Sequence, residues 1–358
     1  MGKEAAGETI FHFDPLHCLR NDYAKNDCSL CIDLCPEEAM VFDRKRLVLD
    51  LSRCTACSAC MGVCPTQAFE NDTFDPERFV EDFAKREATL LDCEKNVPCI
   101  MALSSEHLAA LALMKKSPLQ CDLSRCGSCP VNKEGKVLSA IESAVEEANR
   151  FLETAGMPER IEKVVEAPEA EEKPNRRELF RKLAAVAKGK EGLELPDKAP
   201  LMEEKRQPPV RPLLKKALKA RADAFGEATT SHTRFSFVVG KRIDADTCNN
   251  CQECAMFCPT GAMSILQDNT GIIFQLGKCI ACGICNDVCQ PRSVSDDETF
   301  DLVTFAFDRM DLLVKHRLEM CEECKVAFPY KGGEKICDRC KDFKANYSDL
   351  FTMAKDLE

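Results

Sequence analysis

Between Cys248 and Cys289 eight cysteines fall in two runs of the form Cys-x2-Cys-x2-Cys-x3-Cys, and no other feature restricts the fold so tightly. The first run is Cys248, Cys251, Cys254 and Cys258, followed by Pro259. Twenty residues later come Cys279, Cys282, Cys285 and Cys289. This is the ligand spacing of a protein holding two [4Fe–4S] clusters. Two-residue spacers let a tight loop turn three thiolates and its backbone N–H groups inward around one cube. The fourth cysteine opens a helix pointing away, so it reaches the other cube. The expected ligand sets are Cys248, Cys251 and Cys254 with Cys289, and Cys279, Cys282 and Cys285 with Cys258. Zinc knuckles or disulfides are the alternatives, but eight cysteines at this spacing rarely arise by chance.

The chain has 358 residues, 25 of them cysteine, so two or three domains are expected. So many cysteines mean either an oxidised secreted scaffold or metal sites, and the spacing and size favour metal. The sequence does not open on a basic start and an apolar core, so no secretory signal is read. The longest apolar run, Leu108–Met114, is far shorter than the roughly 20 residues of a membrane span. A reducing, cytoplasmic setting without membrane insertion is therefore expected. The net charge of −11 argues against general nucleic-acid binding and suits a soluble redox protein.

Residues 1–88 repeat the pattern in altered form. The second run is regular, with Cys54, Cys57, Cys60 and Cys64 before Pro65. The first reads Cys18, nine residues, then Cys28, Cys31, Cys35 and Pro36. Residues 19–27 are thus an insertion inside a ligand triplet. The expected sets are Cys18, Cys28 and Cys31 with Cys64, and Cys54, Cys57 and Cys60 with Cys35. His17 is an alternative to Cys18, and loss of one iron there would leave a three-iron cluster. Phe11–Phe13 reads as a strand, and Met40–Phe42 with Leu47–Leu49 as a hairpin. In 233–305, Phe235–Ile243 reads as a strand and Met263–Leu266 with Gly271–Gln275 as a hairpin. Both units resemble the bacterial two-cluster ferredoxins, which implies an electron-transfer fold with all-cysteine cubes.

Residues 89–165 have a different texture. Thr89–Asp92, Leu119–Leu123 and Ile161–Val165 read as strands, separated by helices at Cys99–Lys115 and Lys136–Ala155. That order suggests a small α/β unit. It carries Cys93, Cys99, Cys121, Cys126 and Cys129, at a spacing unlike a ferredoxin's. A further redox cluster, a zinc ion and buried or free thiols are all open readings. The early cysteine pair, the segment Cys126 to Gly135 (CGSCPVNKEG) and the segment Gly156 to Ile161 (GMPERI) are similar to the delta subunit of methylviologen-reducing hydrogenases. That resemblance implies a [2Fe–2S] cluster lying between redox partners.

Residues 166–232 read as a basic, proline-rich linker, with 15 Lys or Arg against 6 Asp or Glu from Lys173 to Arg221. Short helices are expected at Arg176–Lys188 and Leu213–Phe225. The segment is either a solvated tether or an arm docking on an acidic surface. Asn175 to Arg181 (NRRELFR) looks like a twin-arginine export pattern, but it is internal and lacks the apolar run export needs. It is also similar to an arginine pair in accessory ferredoxins of periplasmic nitrate reductases.

Residues 306–358 suggest a helix over Arg309–Met320 and then two Cys-x2-Cys pairs, Cys321 with Cys324 and Cys337 with Cys340. Four cysteines so spaced make a tetrahedral zinc-ribbon-like site, with rubredoxin-like iron as the alternative and a structural role expected. The fold class expected overall is α+β: two ferredoxin-like 2[4Fe–4S] domains flanking a small α/β unit, with a C-terminal knuckle.

No nucleotide-binding glycine fingerprint, phosphate loop or nucleophile motif occurs, so no catalytic residue is assigned. The first functional expectation is a polyferredoxin relaying electrons within or to a hydrogenase-, formate dehydrogenase- or heterodisulfide-reductase-like complex. An accessory factor that binds an apo-oxidoreductase, and a non-redox scaffold folded around clusters, are the other two.

Overall fold

The computed structural model describes residues 11–166, 205–226 and 229–347, with mixed helix and strand content. The first cysteine-rich module is closed by pairing its ends: Phe11–Phe13 lies antiparallel to Phe69–Asn71. Between them, Met40–Asp43 and Arg46–Leu49 form a hairpin. Its two turn residues, Arg44 and Lys45, both take positive φ (45° and 75°), the geometry that matches the twist of a two-residue hairpin. Phe11, Met40, Leu47, Met61 and Phe69 make a small core around Cys18 and Cys31.

The second module has the same plan. Gly240–Ile243 pairs with Val294–Asp297, and Met263–Ile265 pairs with Gly271–Gln275. The strand expected over Phe235–Ile243 is shorter than its sequence suggests. Phe235 and Val238 close a turn on each other, and only Gly240–Ile243 joins the ladder. The helix expected over Arg309–Met320 is absent. Met310–Lys315 adds a third strand to the module's hairpin, and Leu318–Met320 pairs with Ala327–Pro329. The leucine spacing suits either structure, and the open edge of Gly271–Gln275 decides the outcome.

Between the modules Leu90–Leu91, Leu119–Asp122 and Ile161–Val164 form a parallel sheet in that order. The crossovers are the helices Ser105–Lys115 and Lys136–Thr154. The first does not run from Cys99 as its periodicity suggests. Cys99 is extended, Ile100–Ala102 is a 3-10 turn, and Ser104 restarts the chain as an N-cap in a capping box with His107. Ser105–Leu113 are all buried, because helices Pro76–Ala84, Lys136–Thr154 and Val210–Lys219 pack around them.

The helix Val210–Lys219 corrects the reading of this stretch as part of a solvated linker. Leu213, Leu214, Ala217 and Leu218 are buried in the main core, and Pro212 sits in the first turn, where its missing N–H does no harm. The expected helix Arg176–Lys188 and the Asn175–Arg181 run lie outside the described residues.

Close backbone contact fastens the first module to the sheet. A Cβ on Gly62 would lie 2.1 Å from the Met101 carbonyl oxygen, so helix Ala59–Val63 meets the 100–103 backbone directly. Gly62→Ala is expected to force the two apart and cost roughly 1–3 kcal/mol. An unchanged thermal midpoint would contradict this.

Among the described residues no helix is long and apolar enough to cross a membrane.

Candidate metal and cluster centres

The fold gathers the sixteen cysteines of the two modules into four groups of four thiols. Burial pushes the Cys31 thiol up to about 12, and Cys64, Cys18 and Cys28 beside it add to the rise. Burial also holds Cys60 well above the ordinary range, with Cys57, Cys31, Cys35 and Cys54 as charged neighbours. Cys254 is pushed to about 12 by burial and then by Cys251, Cys248 and Cys289. Burial raises Cys285 to about 12 as well. There Lys241 opposes the rise, while Cys279, Cys282 and Cys258 add to it. Thiols crowded and desolvated in this way stay protonated unless a metal centre supplies the compensating charge.

Backbone amides aim at the sulfurs in a repeating register. Ala56 N–H donates to Cys54 Sγ at 3.4 Å, Asn250 to Cys248 at 3.5 Å and Ala281 to Cys279 at 3.4 Å. The last cysteine of each run accepts from farther on. Ala39 donates to Cys35 at 3.3 Å, Ala68 to Cys64 at 3.3 Å, Met263 to Cys258 at 3.5 Å and Ser293 to Cys289 at 3.2 Å. Such N–H···S bonds stabilise charge on a cluster and tune its potential.

Three of the four ligand loops share a strained backbone. Ala56 and Ser58, Asn250 and Gln252, and Ala281 and Gly283 all have positive φ. Five of these six are not glycine, and each such residue costs on the order of 1–2 kcal/mol. Strain of this kind collects where a loop is shaped to a ligand. The run with the insertion departs from the pattern: Ser29, after Cys28, has φ −125°. His17 turns its Nδ1 to Asp14 at 2.6 Å, and Cys18 is the residue that stands with Cys28, Cys31 and Cys64.

Spacing separates these groups from a single-ion site. Among the described residues, Cys321, Cys324, Cys337 and Cys340 alone bring their thiols within 4.8 Å of one another. A tetrahedral ion with bonds of ~2.3 Å sets its sulfurs about 3.8 Å apart. Cys324 Sγ and Cys337 Sγ are 3.8 Å apart. The donor set therefore fits one ion there.

The five middle cysteines divide. Cys93, Cys99, Cys126 and Cys129 are neighbours, whereas Cys121 lies in the core on its strand, is 0% exposed and has Cys126 beside it. Burial raises Cys99 to about 12 against a Met101 amide, and its charged neighbours are Cys57, Cys93 and Cys126. Burial also raises Cys126 to about 11, with Cys93 and Cys129 adding to the rise. An Arg125–Glu94 ion pair ties the two cysteine segments together. Asn132 staples the loop to the next helix, donating to the Cys126 carbonyl and accepting from Leu138 N–H, both at 2.9 Å.

Two buried cations beside the Cys279 loop escaped sequence reasoning. Arg211 is 0% exposed. Its Nε donates to Glu106 Oε1 at 2.5 Å, one terminal nitrogen to the carbonyls of Gly277 at 3.2 Å and Cys279 at 2.8 Å, and the other to Phe237 O at 2.8 Å. Lys241 donates to Asn286 Oδ1 at 3.0 Å and pairs with Asp296. Burial lowers its pKa, but Cys285, Asp296 and Cys279 outweigh that, and the net direction is upward. Arg211 gave no signal because its segment reads as a tether, and Lys241 is one lysine in a strand.

These are ferredoxin modules. Residues 26–68 match a family model described as a 4Fe-4S dicluster domain, and residues 240–291 match a second model of the same description. The first match begins at Asn26, leaving Cys18 and most of the insertion outside it. A search of curated proteins finds no match.

Proposed function

We propose that this chain is a polyferredoxin that relays electrons within or to a cytoplasmic oxidoreductase complex, through four [4Fe–4S] clusters. The carrying observation is the sorting of sixteen thiols, all but Cys251 buried or half-buried, into four groups with amide donors on their sulfurs. Clusters bound there supply one-electron chemistry. All-cysteine ligation leaves no open position for a substrate, so the residues serve to hold, shield and tune. The partners expected are redox enzyme subunits of the hydrogenase, formate dehydrogenase or heterodisulfide reductase kind.

Cys93, Cys99, Cys126 and Cys129 hold a further, two-iron cluster on this reading, and Cys121 is a packing residue. The nearness of Cys57 to Cys99 supports it, because it seats this site against the Cys54, Cys57, Cys60 and Cys35 group. The four C-terminal cysteines hold a structural zinc.

Metal analysis and reduction test the proposal. Four cubes give about 16 iron per chain, and about 18 with the two-iron site. One zinc is expected beside them. Changing both Cys93 and Cys126 to serine is expected to remove about two iron and leave the rest. Unchanged iron in that variant would sink the two-iron site. If dithionite raised no reduced-cluster EPR signal in the native protein, the relay would be refuted.

A further inference from the structure

The insertion at residues 19–27 interrupts a ligand triplet and breaks the loop geometry shared by the other three runs. Asn21 ties it back to its own module through two hydrogen bonds with Leu47, while Leu19, Tyr23 and Asn26 reach the other module. Leu19 is buried with Ile280, Ile284 and Val288, and Tyr23 and Cys282 pack against the same cluster. The Tyr23 ring lies 5.9 Å from the Phe257 ring, next to Cys258. Asn26 is buried, and its side chain spans the joint. Its Oδ1 accepts from Cys28 N–H at 3.1 Å, and its Nδ2 donates to the Cys282 carbonyl at 3.3 Å. Cys28 stands with Cys18, Cys31 and Cys64, whereas Cys282 stands with Cys279, Cys285 and Cys258. One amide therefore links Cys28 of one module to Cys282 of the other, 254 positions away in sequence.

We infer that the insertion is the electronic junction between the two modules. Asn26, Leu19 and Tyr23 hold the Cys18, Cys28, Cys31 and Cys64 site against the Cys279, Cys282, Cys285 and Cys258 site. Electrons cross between modules through this contact. Each crossing oxidises the centre on one side by one electron and reduces its neighbour by one. A low-potential one-electron donor, such as dithionite, supplies the electron, and no atom is transferred.

The junction also orders the sites. The Cys99 neighbourhood lies at one end, beside Cys57. The first module's two groups follow, then the Cys279 group. The Cys248 group is the far terminus, and there Cys251 is exposed. This inference rests on the relay reading.

The test is EPR of the full chain after graded dithionite reduction, comparing wild type with Asn26→Leu and Asn26→Asp. Leucine keeps the volume and removes both hydrogen bonds; aspartate keeps the acceptor for Cys28 and loses the donor to Cys282. Spin–spin broadening within each module is expected to persist, and the share arising between modules to be lost, with iron content unchanged. If Asn26→Leu loses iron, Tyr23→Ser, five positions from both Cys18 and Cys28, gives the same comparison. Broadening equal to wild type in the iron-replete variants would overturn the junction and leave the relay standing. Failure of wild-type clusters to accept any electron would overturn both.

Discussion

Arg211→Met is expected to destabilise the protein by ~3–5 kcal/mol, the cost of removing one partner of a buried ion pair. The loss has two parts. Glu106, which is buried, keeps its charge without its cation. The carbonyls of Gly277, Cys279 and Phe237 lose their donor at the same moment. Methionine retains contact with the Phe237 and Phe305 rings, over which the guanidinium sits at 5.7 and 5.1 Å, so packing is largely kept. Anaerobic urea unfolding, followed by iron–sulfur absorbance, measures the loss. A midpoint change worth less than ~1 kcal/mol would show that the pair merely balances its own desolvation. Replacing Arg211 and Glu106 together with apolar residues is expected to recover part of the loss, because no charge is then stranded.

Phe151→Ala is the second large effect, at roughly 3–5 kcal/mol for emptying an aromatic site in a core. Phe151 is 1% exposed and stands at the centre of four other rings. Those of Phe235, Phe237, Phe300 and Phe305 lie 5.4, 5.6, 6.0 and 5.9 Å away, all edge-on to it. Phe151 belongs to the helix between the modules, and the other four to the second module and its flanks. Its removal is expected to loosen that joint first. Thermal bleaching of the clusters is therefore expected to split into two steps in the variant and to run in one step in the wild type. A single step at an unaltered temperature would contradict the assignment.

The two dicluster modules were legible in the sequence because metal chemistry fixes ligand spacing almost independently of context. The hairpin at Met40–Leu49 was legible from its polar turn and flanking apolar triplets. Where spacing gave no guidance, composition misled. The stretch 205–226 is basic and proline-rich, yet it supplies a helix buried against Ser105–Lys115 and Leu302–Phe307. Its lysines lie mainly outside the buried stripe, and the one fully buried cation is neutralised by a carboxylate 105 residues away. Met310–Lys315 has no alternation of its own, and its burial is uneven along the strand. It is a strand because an unpaired edge was available, and that is a tertiary fact. The insertion at 19–27 was visible as an irregularity. Its contacts could not be read, since no local rule connects Asn26 to Cys282.

The helix Val210–Lys219 reaches both modules. Its Val210 N–H donates to Gln67 Oε1 at 2.8 Å, Lys216 pairs with Glu81, and Arg211 reaches the Cys279 loop. Hydrogen exchange should report this as one opening event. Amides in both modules would then share a single protection free energy. The order of synthesis also matters. Arg211 leaves the ribosome about 66 residues before the Gly277 carbonyl it will bind. Until that stretch arrives, the guanidinium and Glu106 wait without their final enclosure. The first module can form its sites as the chain emerges, but the second can be completed only after the chain has turned back onto a helix already made.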